Sequence, residues 1–427
     1  MTAATVPLPL PPEAVLEHIP VGADIIVPIA NGEPVLLMDT LEANNERLSG
    51  VRVHQMHPLR PRDYIRGAFG DRLRHVSYFL AAGDREAFWA GQCDLVPNHF
   101  SEVPALLRKT TKCSLVMAAA SPPDRHGYFS LGTNADYVAS MVGRVPFFLE
   151  ASHGMPRTIG GTLIHASQIA GWCESDHPLI AVPPAVPGPS DHAIAALIAE
   201  RVPDGATIQV GIGAIPNAVL AALSGHQNLG LHTELLSDGV IDLVESGVLT
   251  GTQKRHRRNK HVATFCLGTQ GLYDWLDGNE GIEVLGVDWV NNPMLIGDEP
   301  NFVSINATAE IDLMGQCASE TIAGRYWSSS GGQADFARGA MYSEGGQAFL
   351  VLHSQTSKGR SRVRTQLTPG SVVTTLKNTV DHVVTEHGIA ELRGLSLRQR
   401  AAALIAIAHP DHRDELTREA RESGLLR

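Results

Sequence analysis

The stretch Ala206 to Leu223, ATIQVGIGAIPNAVLAAL, restricts the fold more than any other part of the chain. Ala206 to Val210 is a short apolar run with β-branched residues, Gly211-Ile212-Gly213 can turn sharply, and Ile215 to Leu223 has the composition of a helix opened by Pro216. A strand that feeds a glycine turn and then a helix is one step of a parallel α/β sheet. It is also a place for anions, because N–H groups with no partner inside the helix point out of its first turn. Leu229 to Leu235 then reads as a second strand carrying Glu234. A carboxylate is thereby placed near an anion cradle.

The residues alone leave two readings open. Gly211-x-Gly213-x-x-Pro216 followed by an acid about 20 residues later is close to the dinucleotide fingerprint, in which the acid binds a ribose hydroxyl. Proline stands where that fingerprint has its third glycine, so a plain structural turn is the other reading.

Strand and helix patterns alternate elsewhere too. Ala23 to Ile29 reads as a strand, and Asn31-Gly32-Glu33-Pro34 as a turn opening a helix through Leu41. Val51 to Met56, His75 to Leu80, Ser114 to Ala119 and Val262 to Leu267 read as further strands, and Val240 to Val248 as a helix. A chain of 427 residues is too long for one ordinary core. Between Ala181 and Asp191 the sequence AVPPAVPGPSD disfavours regular structure, which sets the expected boundary: one α/β domain over 1–186 and a second over 187–427.

Composition excludes several classes. A net charge of -11 disfavours a general nucleic-acid binder. No stretch approaches the roughly 18 apolar residues a spanning helix needs, so no membrane role is expected. The first residues, MTAATVPLPLPPEAV, have no positive n-region, and no secretory signal is expected. Five cysteines lie far apart with no C-x-x-C pair, which fits a reducing, cytoplasmic setting. His409-Pro410-Asp411-His412 lacks helical i, i+4 presentation, and no metal is expected.

A wider likeness favours one function. GIGAIPNAVLAAL followed by LHTELLSDGVIDLVESGVLTG resembles the acetyl-CoA hydrolase/transferase family, a branch of the class I coenzyme A transferases that includes the 4-hydroxybutyrate CoA-transferases. The likeness continues in SSSGGQADFARGA, VVTEHGIAELRG and IAHPDHRDEL, and upstream in NHFSEVP and SPPDRHGYFSLG, so it covers nearly the whole chain. It implies two related open α/β domains of the CoA-transferase type with the active site in the cleft between them, and a homodimer. It implies that Glu234 is the covalent nucleophile and that Gly332 supplies a backbone N–H to the thioester carbonyl, in a glycine loop with Ser328 and Gly331. Gly211, Ile212, Gly213, Ala214 and Ile215 are implied to take the coenzyme, together with Asn306 and Lys358. The segment VDWVNNP resembles one that places asparagines near the thioester, and the two upstream loops are implied to line the acyl pocket. The family usually has glycine where Ser329 stands, which bears on the loop's geometry.

The activity so implied is transfer of coenzyme A between a short-chain acyl-CoA and a small carboxylate of the acetate, butyrate or 4-hydroxybutyrate type, through a glutamyl-CoA thioester. Coenzyme A is then a substrate, and no tightly bound cofactor is expected. Hydrolysis of acyl-CoA by the same glutamate is the second reading, and dinucleotide or acyl-CoA binding without catalysis the third. A free glutamate has a pKa of about 4.3, so Glu234 is expected to be ionised at neutral pH. His232, two residues earlier, shares its face if both lie on a strand, and is read as a packing residue. Asn98 to Glu102 reads as a loop before a short helix with Ser101 as N-cap. Lys254 to Lys260 (KRHRRNK) reads as a solvated loop or as a phosphate contact. In KGRSRVR, Lys358, Arg360, Arg362 and Arg364 share one face if the segment is a strand.

Overall fold

Strands buried on both faces belong inside a layered α/β fold, and Leu115–Ala120, Phe147–Ala151 and Thr207–Val210 are buried along nearly their whole length. The computed structural model describes residues 6–427, which divide into two compact units. One runs to Pro183 and takes in Val262–Val290; the other joins Pro184–His261 to Asn291–Arg427. The passage from Pro183 to Pro184 lies in the proline-rich run, where Val186 is 89% exposed.

The first unit holds a seven-stranded sheet. Its strands are β1 (Asp24–Ile26), β2 (Val51–Gln55), β3 (Leu73–Ser77), β4 (Asp94–Leu95), β5 (Leu115–Ala120), β6 (Phe147–Ala151) and β7 (Ile169–Glu174). They lie in the order β7-β6-β5-β1-β2-β3-β4, every neighbour parallel. The turn at Asn31–Pro34 leads into α1 (Val35–Ala43), whose Leu37, Met38 and Leu41 pack with Ile25, Val53, Leu115 and Phe148 in one core. Each such side chain contributes about 1.5–3 kcal/mol on full burial.

The second unit carries a six-stranded sheet. Its strands are β8 (Thr207–Val210), β9 (Gly230–Leu231), β10 (Phe302–Ala307), β11 (Gln347–Val351), β12 (His382–Thr385) and β13 (Gly388–Glu391), in the order β9-β8-β10-β11-β12-β13. All pairs are parallel except the edge hairpin β12–β13. Helix α2 (Ala214–Ala222) follows β8, and α3 (Gln333–Tyr342) packs on β10 and β11. Because β9 lies on one side of β8 and β10 on the other, the winding reverses there, and ligands of open α/β sheets bind outside the carboxyl ends of strands at such a point. Among the described residues one strand stands beyond β8 where the dinucleotide-binding order has two, which counts against that reading of the glycine turn.

The α/β class is as the sequence implied, with local corrections. The strand expected over Leu229 to Leu235 stops at Leu231, and Val262 to Leu267 is two short strands, His261–Ala263 and Phe265–Cys266. Ser101 is no N-cap: a 3-10 turn spans Phe100–Glu102, and Glu102 precedes the helix Val103–Thr110. KGRSRVR is not one strand. Gly359 N–H closes a turn on the Thr356 carbonyl, and only Val363–Arg364 is extended, so the four basic side chains do not form a single row. Among the described residues no helix is long and apolar enough to cross a membrane.

Candidate active site

Glu234 lies in a bend between β9 and the short strand Leu235–Leu236. His232 N–H still donates to the Ile208 carbonyl at 3.0 Å, but the Thr233 hydroxyl then sits 3.0 Å from the Val210 carbonyl and 3.1 Å from that of Leu235, folding the chain back on itself. The Glu234 side chain is therefore not in register with a strand face. His232 is fully buried, its ring edge-on to Phe302 and Phe336 at 5.9 and 6.4 Å, which is a packing role.

Two donors meet the carboxylate. Asn291 Nδ2 donates to Glu234 Oε2 at 2.8 Å, and the backbone N–H of Gly332 donates to the same carboxylate. Gly332 is the N-cap of α3, so the carboxylate also faces the positive end of a ten-residue helix. A Cβ on Gly332 would collide with Glu234 Oε2 and Asn291 Nδ2. Only glycine permits that approach. Asn291 is itself fully buried, and its Oδ1 has no hydrogen-bond partner.

Burial, opposed by these hydrogen bonds and reinforced by the nearby Asp335 carboxylate, pushes the Glu234 pKa up to about 7. The environment departs from the expectation of a free glutamate: the folded carboxyl holds its proton far more tightly, and neutral pH falls within its titration range. A more basic carboxylate is a better nucleophile once ionised. Removing Asp335's charge takes away one cause of the rise. Asp335→Asn is accordingly expected to move the acid limb of the kcat/KM profile to lower pH, read by initial rates between pH 5 and 8; an unmoved limb contradicts the electrostatic role.

The other expected positions fall as follows. Gly211, Ile212 and Gly213 form the turn at the carboxyl end of β8, Gly213 at a φ of +123° that L side chains rarely adopt. Helix α2 starts at Ala214 and Ile215, two residues before Pro216. Ile212 is 51% exposed. Asn306 lies near the end of the adjacent β10, its amide bonded to Gln209. Ser328 Oγ donates to the Ser319 carbonyl at 3.3 Å, and Gly331 turns the chain at a φ of +55° into Gly332. Ser329 is buried without a left-handed φ, so serine there carries no backbone strain. Lys358 is exposed at the hairpin tip.

Part of the basic run is tied into the scaffold, while Arg255, Arg257 and Arg258 are exposed. Lys254 is 3% exposed, its Nζ donating to the Leu231 and Lys260 carbonyls at 2.9 Å each. Glu299 accepts the backbone N–H groups of Arg255 and His256. Lys254→Met should cost roughly 2–4 kcal/mol through the lost charged hydrogen bonds, seen as a lowered melting temperature. A raised KM for acyl-CoA at unchanged melting temperature would instead favour the phosphate contact.

Sequence reasoning placed Asn291 only within a segment and gave Asp335 no role. A signal for Asn291 was present in Asn291-Asn292-Pro293: Asn292 caps the helix Pro293–Asp298, accepting from Met294 N–H at 3.0 Å, and the other asparagine is left for Glu234. The histidine motif near the C-terminus forms a helix start, His409 accepting from Asp411 N–H.

Residues 10–182 match the acetyl-CoA hydrolase/transferase N-terminal domain and residues 268–420 its C-terminal domain. The succinyl-CoA:cyclohexane-1-carboxylate CoA transferase of Geobacter metallireducens is 43% identical, over 95% of this chain and 93% of its own length. The 4-hydroxybutyrate coenzyme A transferase of Clostridium kluyveri is 41% identical, over 92% of each. The crystal structure of RipA from Yersinia pestis superposes with a TM-score of 0.91 at 35% identity, covering 97% of both chains. The chain belongs to the acetyl-CoA hydrolase/transferase family.

Proposed function

We propose that this enzyme transfers coenzyme A between a short-chain acyl-CoA and a small carboxylate, with Glu234 as the nucleophile. The observation that carries the reading is the Glu234 carboxylate held by Asn291 Nδ2 and the Gly332 N–H at the start of α3. CoA-transferases of carboxylic acids at 41–43% identity over nearly the full length support it.

Ionised Glu234 attacks the thioester carbonyl, and the coenzyme thiolate leaves, giving a mixed anhydride. The thiolate then attacks the glutamyl carbonyl and expels the first carboxylate, leaving a glutamyl-CoA thioester. An incoming carboxylate reverses both steps and departs as the new acyl-CoA. Each tetrahedral oxyanion needs a donor already in place, and the Gly332 N–H is the donor this reading assigns. The remote nucleotide part docks at the turn Gly211–Ile215, with Asn306, Ser328, Gly331 and Lys358 along the coenzyme, and its binding energy is used to press the thioester on Glu234. Five free thiols accord with a reducing cytoplasm, and a homodimer is the assembly the family likeness implies.

Thiol release from acetyl-CoA, measured with and without added butyrate or 4-hydroxybutyrate, tests the reading. New acyl-CoA should form at the expense of acetyl-CoA, with little free thiol when acceptor is absent. Thiol release at full rate without any acceptor identifies a hydrolase instead.

A further inference from the structure

Gln209 on β8 and Asn306 on β10 belong to the two strands that flank the winding reversal of the second sheet. Gln209 is opposite Ser304 in the register, so Asn306, two residues on, shares its face. Their amides bond reciprocally: Gln209 Nε2 donates to Asn306 Oδ1 at 3.3 Å, and Asn306 Nδ2 donates to Gln209 Oε1 at 2.9 Å.

Two primary amides can pair in either of two flipped arrangements. A third contact removes the choice here. Ile305 N–H lies 3.3 Å from the Gln209 amide, and a backbone N–H can only donate, so the atom facing it is the oxygen. That turns Gln209 Nε2 toward Asn306 Oδ1 and fixes Asn306 Nδ2 on the inner side. Gln209 is 2% exposed, whereas Asn306 is half-buried, so the orienting partner is sealed and the oriented one is open. Asn306 retains one N–H beyond the pair. It stands beside the end of β8, where Gly211 begins the turn.

We propose that Gln209 is a positioning residue for coenzyme A recognition, locking the Asn306 amide so that its second N–H is presented to a carbonyl oxygen of an acyl-pantetheine chain lying across the carboxyl edge of this sheet. The proposal rests on the CoA-transferase reading and adds to it the group that orients one of its contacts.

A double-mutant cycle on the full-length enzyme tests it, with kcat and KM for acetyl-CoA measured for Gln209→Leu, Asn306→Ala and the pair, and Gln209→Ser in place of leucine if the latter does not fold. Loss of one oriented hydrogen bond corresponds to a KM increase of about tenfold. The expected result is that increase in each single variant, kcat within about threefold of wild type, and no further increase in the pair. Effects that multiply in the pair, or a lowered melting temperature with KM unchanged, overturn the proposal while the transferase reading stands. Absence of CoA transfer by the wild type is the separate outcome that removes the reading beneath it.

Discussion

Glu234→Gln should lower kcat/KM for CoA transfer by at least about 10⁴-fold, since a nucleophile is removed outright, and at the same time raise stability above neutral pH. The two effects share one cause. Burial holds the Glu234 pKa near 7 against an ordinary 4.5, so the folded state binds this proton more tightly than the unfolded chain does. The resulting stabilisation is fully present below about pH 4.5 and is lost as pH rises through 7. At pH 8.5 the ionised carboxylate thus costs the fold roughly 1–3 kcal/mol, which glutamine avoids while still accepting from Asn291 or Gly332. Melting curves at pH 5 and 8.5 check this: the variant should melt above the wild type at pH 8.5, and the gap should close at pH 5. A gap independent of pH would show that Glu234 stores no electrostatic cost. In the wild type, kcat/KM should climb with pH through about 7, because only the ionised carboxylate attacks.

Gly332→Ala is the second large effect. The added methyl would meet Glu234 Oε2 and Asn291 Nδ2, neither of which can move without giving up their mutual 2.8 Å hydrogen bond. Displacing one oxyanion donor typically costs about 10²–10³ in kcat, and overpacking adds about 1–3 kcal/mol of lost stability. Acyl-CoA binding should change far less, because the coenzyme's remote part is untouched. Asn291→Ala removes one of the two colliding atoms, so the stability cost of the alanine at 332 should shrink in that background. Steady-state kinetics with melting temperatures for the three variants decide it, and a fully active Gly332→Ala enzyme contradicts the assigned role.

Much of this was legible in the residues. β8, its glycine turn and α2 follow from apolar runs broken by Gly211 and Gly213, and β1, β2, β3 and β5 of the first sheet overlap segments that read as strands, while β4, β6 and β7 lie outside them. Periodicity failed where tertiary contacts override it. Thr233 bends the chain at Glu234 by bonding the Val210 carbonyl, and KGRSRVR turns at Gly359, so two alternating-looking segments are not strands. The basic run shows the same limit: Lys254 and the amides of Arg255 and His256 are taken up by the Leu231 and Lys260 carbonyls and by Glu299, partners at distances in the chain that spacing does not reveal. Asn291 and Asp335 reach Glu234 only through the fold, and the burial that raises its pKa, reinforced by Asp335 and opposed by Asn291, is likewise announced by no sequence pattern.

The most direct test of the central claim is chemical trapping at Glu234. The wild-type enzyme is incubated with acetyl-CoA, reduced with borohydride, digested, and the peptide containing Glu234 is examined by mass spectrometry. The account predicts that this side chain is reduced to the alcohol only when acyl-CoA is present. An unmodified Glu234 in enzyme that is demonstrably turning over would contradict it.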